Sequence, residues 1–337
     1  MKKIDTSLKI GAKKFHQKRI FAQKLSEKYR KKYFKGNNIK KQFLEKRKKC
    51  PVCNTENKNI LFIKGGGTHK KCKKCEIIYL DPVFKDKKLE EFYRFNNDNQ
   101  SLVSLNEKKF YYQMFKDGIK FILKKKRIKN LLDIGCSNGI CLDAAKDLKI
   151  KSYGMELNKK EAEIASKKHT VFNESVFEFK NKLKFEAITM WDVIEHIKNT
   201  HKLLKKVSGL LVKNGIFFFQ TPNAKSLANT VLHEKSNCFD GIEHVNLFSL
   251  KSLSIIAKKN NFKILSIRTV FSEIPIIDNY LNFDNKIRAL TLIEYLKSTK
   301  NYKFKKTRRN FLPYYIAHPI IRQIVMVKNK KPPEISF

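Results

Sequence analysis

From residue 130 onward, short apolar runs alternate with stretches whose apolar residues have helical spacing. Short apolar runs bounded by polar turns are typical of buried strands, and apolar residues three or four positions apart are typical of helices. Strands that alternate with helices in this way indicate an α/β fold with a parallel sheet. The predicted strands are residues 130–134, 151–155, 170–172, 186–191, 215–220, 264–271 and 322–328. The predicted helices lie near residues 139–148, 159–168, 199–212 and 249–260.

The remaining parts of the chain lack this rhythm and differ in composition. Residues 1–49 are dense in lysine and predict a basic helical arm, with an arm that contacts an anionic substrate or RNA as the alternative. Residues 81–128 predict a helical linker or cap that covers the pocket of the main domain. That domain is predicted at 129–330, with a tail at 331–337. An aromatic and basic insert at 272–321 is predicted to pack over the substrate pocket, with weak membrane-surface contact as its alternative.

Residues 50–80 contain two Cys-x-x-Cys pairs separated by eighteen residues. This spacing is typical of four-cysteine zinc sites and predicts a small zinc ribbon. The predicted ligands are Cys50, Cys53, Cys72 and Cys75. Four thiolates leave no open position for water, so the zinc is predicted to be structural. Disulfides are the weaker alternative in a reducing compartment, and His69 is expected at the surface.

The composition supports a folded core and leaves the meaning of the charge open. The chain has 337 residues, and its 42% hydrophobic content with 26 Phe argues against general disorder. A net charge of +42 is typical of nucleic-acid binding, but only ten of the 73 basic residues are Arg, and Lys is spread along the whole chain. Codon bias toward Lys, Asn, Ile and Phe is therefore the preferred interpretation. No apolar run reaches the ~18 residues of a membrane span, so a cytoplasmic location is expected.

The most informative motif is Leu-Leu-Asp-Ile-Gly-Cys-Ser-Asn-Gly, from Leu131 to Gly139. Glycine adopts positive φ at little cost and lets backbone amides approach a ligand closely. Glu156 lies seventeen residues after Gly139, where an acid can accept hydrogen bonds from both hydroxyls of a ribose. This pairing indicates a nucleoside cofactor. Because neither Gly-x-Gly-x-x-Gly nor Gly-Lys-Ser/Thr is present, a dinucleotide or a triphosphate is the weaker alternative.

Five segments together extend this motif into a family resemblance. They are Leu131–Gly139, Gly154–Glu156, Asn173–Val176, Met190–Ile197 and Gln220–Asn223. In this order they resemble the class I S-adenosylmethionine-dependent methyltransferases, closest to the small-molecule branch that includes ubiquinone O-methyltransferases. The resemblance implies a Rossmann-like seven-stranded sheet with helices on both faces. The cysteine unit resembles the zinc ribbon fused to methyltransferases of bacterial surface-polysaccharide and sugar-modifying clusters.

The resemblance also implies a set of cofactor contacts. It places the glycine turn at the methionine and ribose end, Glu156 on the ribose hydroxyls, and the residues after the fourth strand beside adenosine and the sulfonium. The acid that contacts adenine in many relatives is missing, so backbone contact is expected there. The implied cofactor-binding residues are Asp133, Gly135, Gly139, Glu156, Leu157, Glu174, Ser175, Trp191 and Asp192.

Methyl transfer requires the donor and the acceptor to be aligned and, for many acceptors, a base. The candidate catalytic residues are His196, Glu243 and His244, which fall in loops where an open α/β sheet holds its site. A histidine titrates near neutral pH and can accept the proton. The alternative for His196 is a helix cap with no catalytic role.

Three functions remain open at this point. The preferred prediction is methyl transfer to a sugar or a sugar-linked precursor, at oxygen or carbon. The alternative is an RNA methyltransferase that uses the basic arm and the ribbon. Two sequence motifs of RNA and nucleobase methylation, Asn/Asp-Pro-Pro-Tyr/Phe and a Pro-Cys or Thr-Cys thiol, are absent from the sequence. A binding scaffold without activity is disfavoured because the glycine turn and Glu156 are intact.

Overall fold

The computed structural model describes residues 32–36, 38–96, 108–236, 238–269 and 321–328. Their strands are β1 Phe34–Lys35, β2 Asn38–Ile39, β3 Leu44–Glu45, β4 Ile60–Lys64, β5 Gly67–Lys71, β6 Ile78–Leu80, β7 Val83–Phe84, β8 Asn130–Ile134, β9 Lys151–Met155, β10 Thr170–Phe172, β11 Phe185–Trp191, β12 Leu211–Pro222, β13 Asn246–Leu247, β14 Phe262–Thr269 and β15 Ile321–Lys328. Their α-helices are α1 Asp86–Asn96, α2 Lys108–Leu123, α3 Ile140–Asp147, α4 Lys159–Ser166, α5 Thr200–Leu210, α6 Leu227–Leu232 and α7 Leu250–Lys259. Short 3-10 turns lie at Lys41–Phe43, Ile194–His196 and His233–Lys235.

The central sheet of the described residues has seven strands in the order β10-β9-β8-β11-β12-β15-β14. The first five are parallel to one another. All seven predicted strands and the four predicted helices of the main domain are confirmed, with small shifts at their ends. The prediction of a parallel sheet does not hold at β15, which is antiparallel to both β12 and β14. Thr269, at the end of β14, pairs with Arg322, near the start of β15. The chain therefore leaves the sheet from β14 and re-enters it in β15 at the same end of these two strands.

The predicted helical arm is wrong between Phe34 and Glu45. β1 and β2 form a two-stranded hairpin there, and β3 pairs with β7. Gly36 has a φ of +58°, which favours a turn over a helix. Tyr33 is buried against the ring of Phe84, and this contact fastens the arm to the rest of the fold. Residues 1–31, most of the predicted insert 272–321 and the predicted tail lie outside the described residues.

The cysteine unit shares its sheet and its core with the main domain. Its strands join β13 in the order β13-β6-β5-β4, so a strand far along the chain completes the ribbon sheet. Val52 and the four cysteines belong to the same buried cluster as Leu203 and Phe248. The predicted division at residues 50–80 therefore marks a unit that is packed into the domain.

The second linker helix, α2, covers one face of the central sheet. α2 packs on α3, and its buried side chains join a second apolar cluster with Trp191 and Phe218. A Cβ atom at Gly118 would lie 2.1 Å from the Trp191 ring, so only glycine leaves room for the indole at this position. Among the described helices, none combines the length and the apolar character that crossing a bilayer requires.

The close contact between α2 and Trp191 leads to a stability prediction. Gly118→Ala should lower the free energy of unfolding by about 1–3 kcal/mol, because the added methyl group overpacks the core. Gly209→Ala in α5 is the matched control, since a Cβ there meets nothing within 4 Å. The control should be neutral or should stabilise the protein by up to about 1 kcal/mol. Urea unfolding measures both, and equal stability of the two variants would contradict the packing argument.

Candidate functional site

The predicted glycine motif forms a tight turn between β8 and α3. Gly135 and Gly139 have φ values of +79° and +85°, and Ser137 also has a positive φ of +47°. A Cβ atom at Gly135 would lie 2.6 Å from the side chain of Val193, which follows β11. The turn therefore needs glycine for two reasons, its backbone conformation and its closeness to the end of the neighbouring strand.

Glu156 lies directly after β9, and its carboxylate faces this turn. One carboxylate oxygen accepts a hydrogen bond from the Ser137 backbone amide at 2.9 Å, and the other accepts one from the Asn158 amide at 2.8 Å. Burial raises the pKa of Glu156, and the two amide hydrogen bonds oppose that shift. A carboxylate oxygen has two lone pairs. Each oxygen therefore keeps one for a hydroxyl donor, as binding of a ribose diol requires.

The other predicted residues around the turn differ in how close they come to a ligand. Asp133 is only 1% exposed and accepts a hydrogen bond from Thr189 at 2.6 Å, so it lies beneath the turn. Its burial raises its pKa to about 7. Ser175 is buried and caps its own turn by accepting from the Phe177 amide, whereas Glu174 is half-buried. Leu157 offers a backbone carbonyl, which accepts from the Asn173 side chain at 3.2 Å.

Trp191, which the resemblance places beside adenosine, turns its side chain toward the helix layer. Its indole lies in the apolar cluster beneath α2, with its ring centroid 4.8 Å from that of Phe115 and 4.7 Å from that of Phe218. The gap at Gly118 accepts the indole, so the ring faces the helix layer. Asp192 is at the strand end as expected, with a φ of +53°, and accepts a hydrogen bond from Gln220 at 2.9 Å.

The histidines predicted as separate candidates lie side by side. His196 ends the 3-10 turn after β11, and His244 lies in the segment before β13. Their ring centroids are 4.9 Å apart, and Nε2 of His196 is 3.9 Å from a carboxylate oxygen of Glu195. Glu195 is fully buried, accepts a hydrogen bond from Thr221 at 3.0 Å, and has its pKa raised to about 8 by burial. The site is therefore a group of titratable side chains in which Glu195 is buried and the two histidines are partly exposed.

His196 is held in its neutral form. Its Nδ1 lies 2.8 Å from the Tyr93 hydroxyl and 3.0 Å from the backbone carbonyl oxygen of Glu243. A carbonyl only accepts hydrogen bonds, so the contact with Glu243 favours the tautomer with the proton on Nδ1 and the lone pair on Nε2. Burial, together with the nearby charge of His244, lowers the pKa of His196 to about 3. Glu243, predicted as a catalytic carboxylate, contributes its backbone carbonyl to this arrangement.

His244 is charged, in contrast to His196. Its Nδ1 lies 2.9 Å from a carboxylate oxygen of Asp240 and 2.9 Å from the carbonyl of Cys238. Burial alone would lower the pKa of His244, but the charge and hydrogen bond of Asp240 outweigh it and raise the pKa to about 9. Asp240 also accepts hydrogen bonds from the amides of Ile242 and Glu243, at 2.7 and 2.6 Å. The ion pair is thus anchored at its acidic end by the backbone.

The sequence analysis missed Tyr93 and Asp240 and was wrong about His69. Tyr93 belongs to α1, where it reads as one more apolar position of an amphipathic helix. Asp240 lies four residues before His244, and that spacing was the available signal. His69 was expected at the surface but is 1% exposed, with its ring between those of Phe62 and Phe239. Docking of the ribbon on the main domain buries it.

One helix joins the cofactor turn and the histidine group. Tyr93 contacts His196, and the carbonyl of the next residue, Arg94, accepts a hydrogen bond from the Asn158 side chain at 3.1 Å. Asn158 in turn donates its amide to Glu156. The two groups of predicted residues therefore lie at the same edge of the sheet, bridged by α1.

The four cysteines converge as the spacing predicts. All four are buried, and their sulfur atoms lie within 4.8 Å of one another. The Cys50–Cys75 and Cys53–Cys72 sulfur pairs are each 3.5 Å apart. The edge of a tetrahedron with zinc–sulfur bonds of about 2.3 Å is about 3.8 Å, so the sulfur positions and the donor set fit zinc.

Comparisons with known proteins agree with this geometry. Residues 106–267 match a family model described as a methyltransferase domain. A ubiquinone biosynthesis O-methyltransferase of Pelagibacter ubique (strain HTCC1062) is 34% identical over 108 residues, covering 29% of this chain and 45% of the relative. One of Glaesserella parasuis serovar 5 (strain SH0165) is 27% identical over 114 residues, covering 30% and 48%. The chain thus spans less than half the length of each of these relatives.

One solved structure shows the fold. It is a chain of the complex that contains the Haloferax volcanii Trm112 methyltransferase activator. The TM-score is 0.51 at 11% identity, and the superposition covers 71% of this chain and 99% of the other. Together with the match of residues 106–267 to a methyltransferase domain, this superposition shows the seven-stranded Rossmann-like fold of methyltransferases.

The His244–Asp240 pair predicts a loss of stability at alkaline pH. The pKa of His244 in the folded protein, about 9, exceeds the ordinary value for histidine of about 6.5. Its contribution is therefore complete below about pH 6.5 and is lost as the pH rises through about 9. The free energy of unfolding should fall by on the order of 3 kcal/mol across this window, and His244→Gln should remove that part of the slope.

Urea unfolding between about pH 6 and 9.5 measures this slope. His233→Gln, at an exposed histidine, is the matched control and should keep the wild-type dependence on pH. An unchanged slope in His244→Gln would contradict the proposed ion pair.

Proposed function

We propose that this chain, which carries a class I S-adenosylmethionine-dependent methyltransferase domain, transfers the cofactor's methyl group to a hydroxyl oxygen or an acidic carbon of a small molecule. The observation that carries the proposal is Glu156, a buried carboxylate fixed by two backbone amides beside a turn with two left-handed glycines. This arrangement offers a ribose diol two oriented acceptors. The matched domain, residues 106–267, contains both elements.

The residues around the turn fit the cofactor in kind and in position. Glu156 would accept the ribose hydroxyls, Gly135 and Gly139 would let the backbone approach the methionine end, and Asp192 would lie near the sulfonium. The 174–175 segment would border the adenine through its backbone, and Asp133 would support the turn from below. When bound, S-adenosylmethionine supplies a methyl group on a positively charged sulfur, which a nucleophile can displace in line.

His196 would accept the proton that leaves the acceptor. His196 is neutral above about pH 3, and in the tautomer that donates Nδ1–H to the Glu243 carbonyl its lone pair is on Nε2. Tyr93 fixes the ring, and its own pKa is raised by burial, so its hydroxyl stays protonated. The His244 imidazolium, balanced by Asp240, would stabilise an oxyanion or carbanion that develops beside it.

The proposed acceptor class is a sugar or a sugar-linked precursor of a surface polysaccharide. A sugar hydroxyl, or a carbon next to a sugar keto group, carries a proton that must leave, and this requirement matches a site with a neutral histidine. The resemblance of the ribbon to those of sugar-modifying methyltransferases supports the same class. Four buried thiols would hold a structural zinc in that ribbon, through Cys50, Cys53, Cys72 and Cys75.

Glu156→Gln tests cofactor binding. The substitution keeps the shape of the side chain but places an amide donor against one of the two backbone amides, so S-adenosylmethionine affinity should fall about 10–100-fold. Glu163→Gln on the exposed face of α4 is the matched control and should leave the affinity unchanged. Calorimetric titration measures both. Failure of the wild-type protein to bind the cofactor would reject the proposed function.

The base is tested by turnover with a labelled methyl group. We expect transfer to a nucleotide-linked sugar, and His196→Gln or His244→Gln should lower kcat by about 100-fold or more at unchanged cofactor affinity. His233→Gln serves as the control. Wild-type turnover in both variants would exclude the two histidines. Methyl transfer to RNA, with none to any sugar tested, would show that the acceptor is RNA and not a sugar.

A further inference from the structure

The segment that carries Asp240 and His244 depends on the ribbon for its shape. We call residues 238–245 the histidine loop; it contains no helix or strand. At its C-terminal end the chain continues into β13, which pairs with β6 of the ribbon. The Leu80 amide of that strand donates to the Val245 carbonyl at 3.1 Å. The loop is therefore bound through its backbone to the cysteine unit.

A second attachment lies at the turn between β4 and β5. A Cβ atom at Gly67 would lie 2.5 Å from the carbonyl oxygen of Gly241, and one at Gly241 would lie 2.4 Å from that of Lys64. Two backbones touch here without side chains between them. Gly241 directly follows Asp240 and has a φ of +82°, so the contact lies one residue from the ion pair.

Side chains of the hairpin formed by β4 and β5 make a third attachment to the histidine loop. The ring of Phe239 packs against Phe62 and His69, with centroids 4.9 and 5.3 Å apart. The Lys64 ammonium donates to the carbonyl of Ser236 at 2.6 Å, just before the histidine loop. The hairpin therefore contacts the chain both before Asp240, at Ser236 and Phe239, and after it, at Gly241.

We propose that the zinc ribbon positions the catalytic histidine loop, so that loss of its metal displaces His244 from Asp240 and leaves cofactor binding intact. The inference rests on the proposed function for the role of His244 in catalysis. The ribbon is then part of the acceptor half of the site, and zinc occupancy governs proton transfer without any contact between metal and substrate.

Two short strands, β5 and β6, connect the cysteines to the histidine loop. Cys72 and Cys75 flank the knuckle between β5 and β6, the two strands whose ends contact the loop. The carbonyl of Cys75 accepts a hydrogen bond from Ser249 at 3.1 Å, which fixes the chain just after β13. Without a metal the four thiols have no common partner, and the knuckle loses the constraint that sets the strand positions.

Several charged or titratable groups face His244, and its titration reports on their arrangement. Asp240 supplies the hydrogen bond, and Glu195 and Glu243 add negative charge. His196 and His69 are neutral at physiological pH, and Lys64 lies near Asp240 on the ribbon side. Release of the loop would change the course of the chain at Gly241, between Asp240 and His244, and would weaken the Asp240 contact. Glu195 and Glu243 contribute only through space. The pKa of His244 should then fall toward its ordinary value of about 6.5.

Gly67→Ala is the direct test. Its φ is not in the left-handed region, so alanine acts only through the contact with Gly241. Histidine-ring NMR titration, with the His244 signal assigned from His244→Gln, should show its pKa lowered by one unit or more, about tenfold in proton affinity. Gly209→Ala should titrate like the wild type. Cofactor affinity by calorimetry should stay within about twofold in all three proteins.

Zinc removal and a milder variant complete the test. The purified protein should contain one zinc per chain, and chelation should lower the pKa of His244 in the same direction. Phe62→Leu, which weakens the ring contact with Phe239 without changing any charge, should give a smaller shift if Gly67→Ala does not fold. An unchanged His244 titration in the hairpin variant and after chelation would overturn the inference. Loss of cofactor binding in the wild type would reject the proposed function instead, whatever His244 does.

Discussion

Parallel pairing of β8 with β9 and β11 is the constraint on which the site depends. Parallel strands present their carboxyl ends at one edge of the sheet, so residues far apart in the chain meet there. The glycine turn follows β8, Glu156 follows β9, and Asp192 follows β11. The near contact between Gly135 and Val193 shows how tightly the ends are packed. Any residue larger than glycine would separate the turn from the next strand.

Burial lowers the pKa of both histidines of the site, but their neighbours give them opposite net shifts. Both are removed from water, and desolvation disfavours the charged form of each. His196 has neutral neighbours on Nδ1 and a positive charge nearby, so its pKa falls to about 3. His244 has a carboxylate at 2.9 Å, and that interaction exceeds the desolvation penalty. The two imidazole rings therefore have different charge states although their centroids are only 4.9 Å apart.

The ribbon and the methyltransferase domain form one structural unit. A small metal-bound unit usually has its own core, but here β13 completes its sheet and Val52 packs among the side chains of α5 and α7. His201 of α5 donates a hydrogen bond to the Val52 carbonyl at 3.0 Å, across the same boundary. The stability of the ribbon and the geometry of the histidine loop are consequently coupled.

Local pattern was enough to predict much of this protein. Apolar periodicity placed the seven strands and the main helices, and residue spacing identified the glycine turn, Glu156 and the four cysteines, because each depends on residues close in the chain. Tertiary structure alone decided the rest. The direction of β15, the burial of His69, the turn of Trp191 toward α2, and the meeting of Tyr93, His196 and His244 all depend on contacts between distant segments. Such contacts leave no periodic trace in the sequence, since the partner that buries or charges a residue lies on another element.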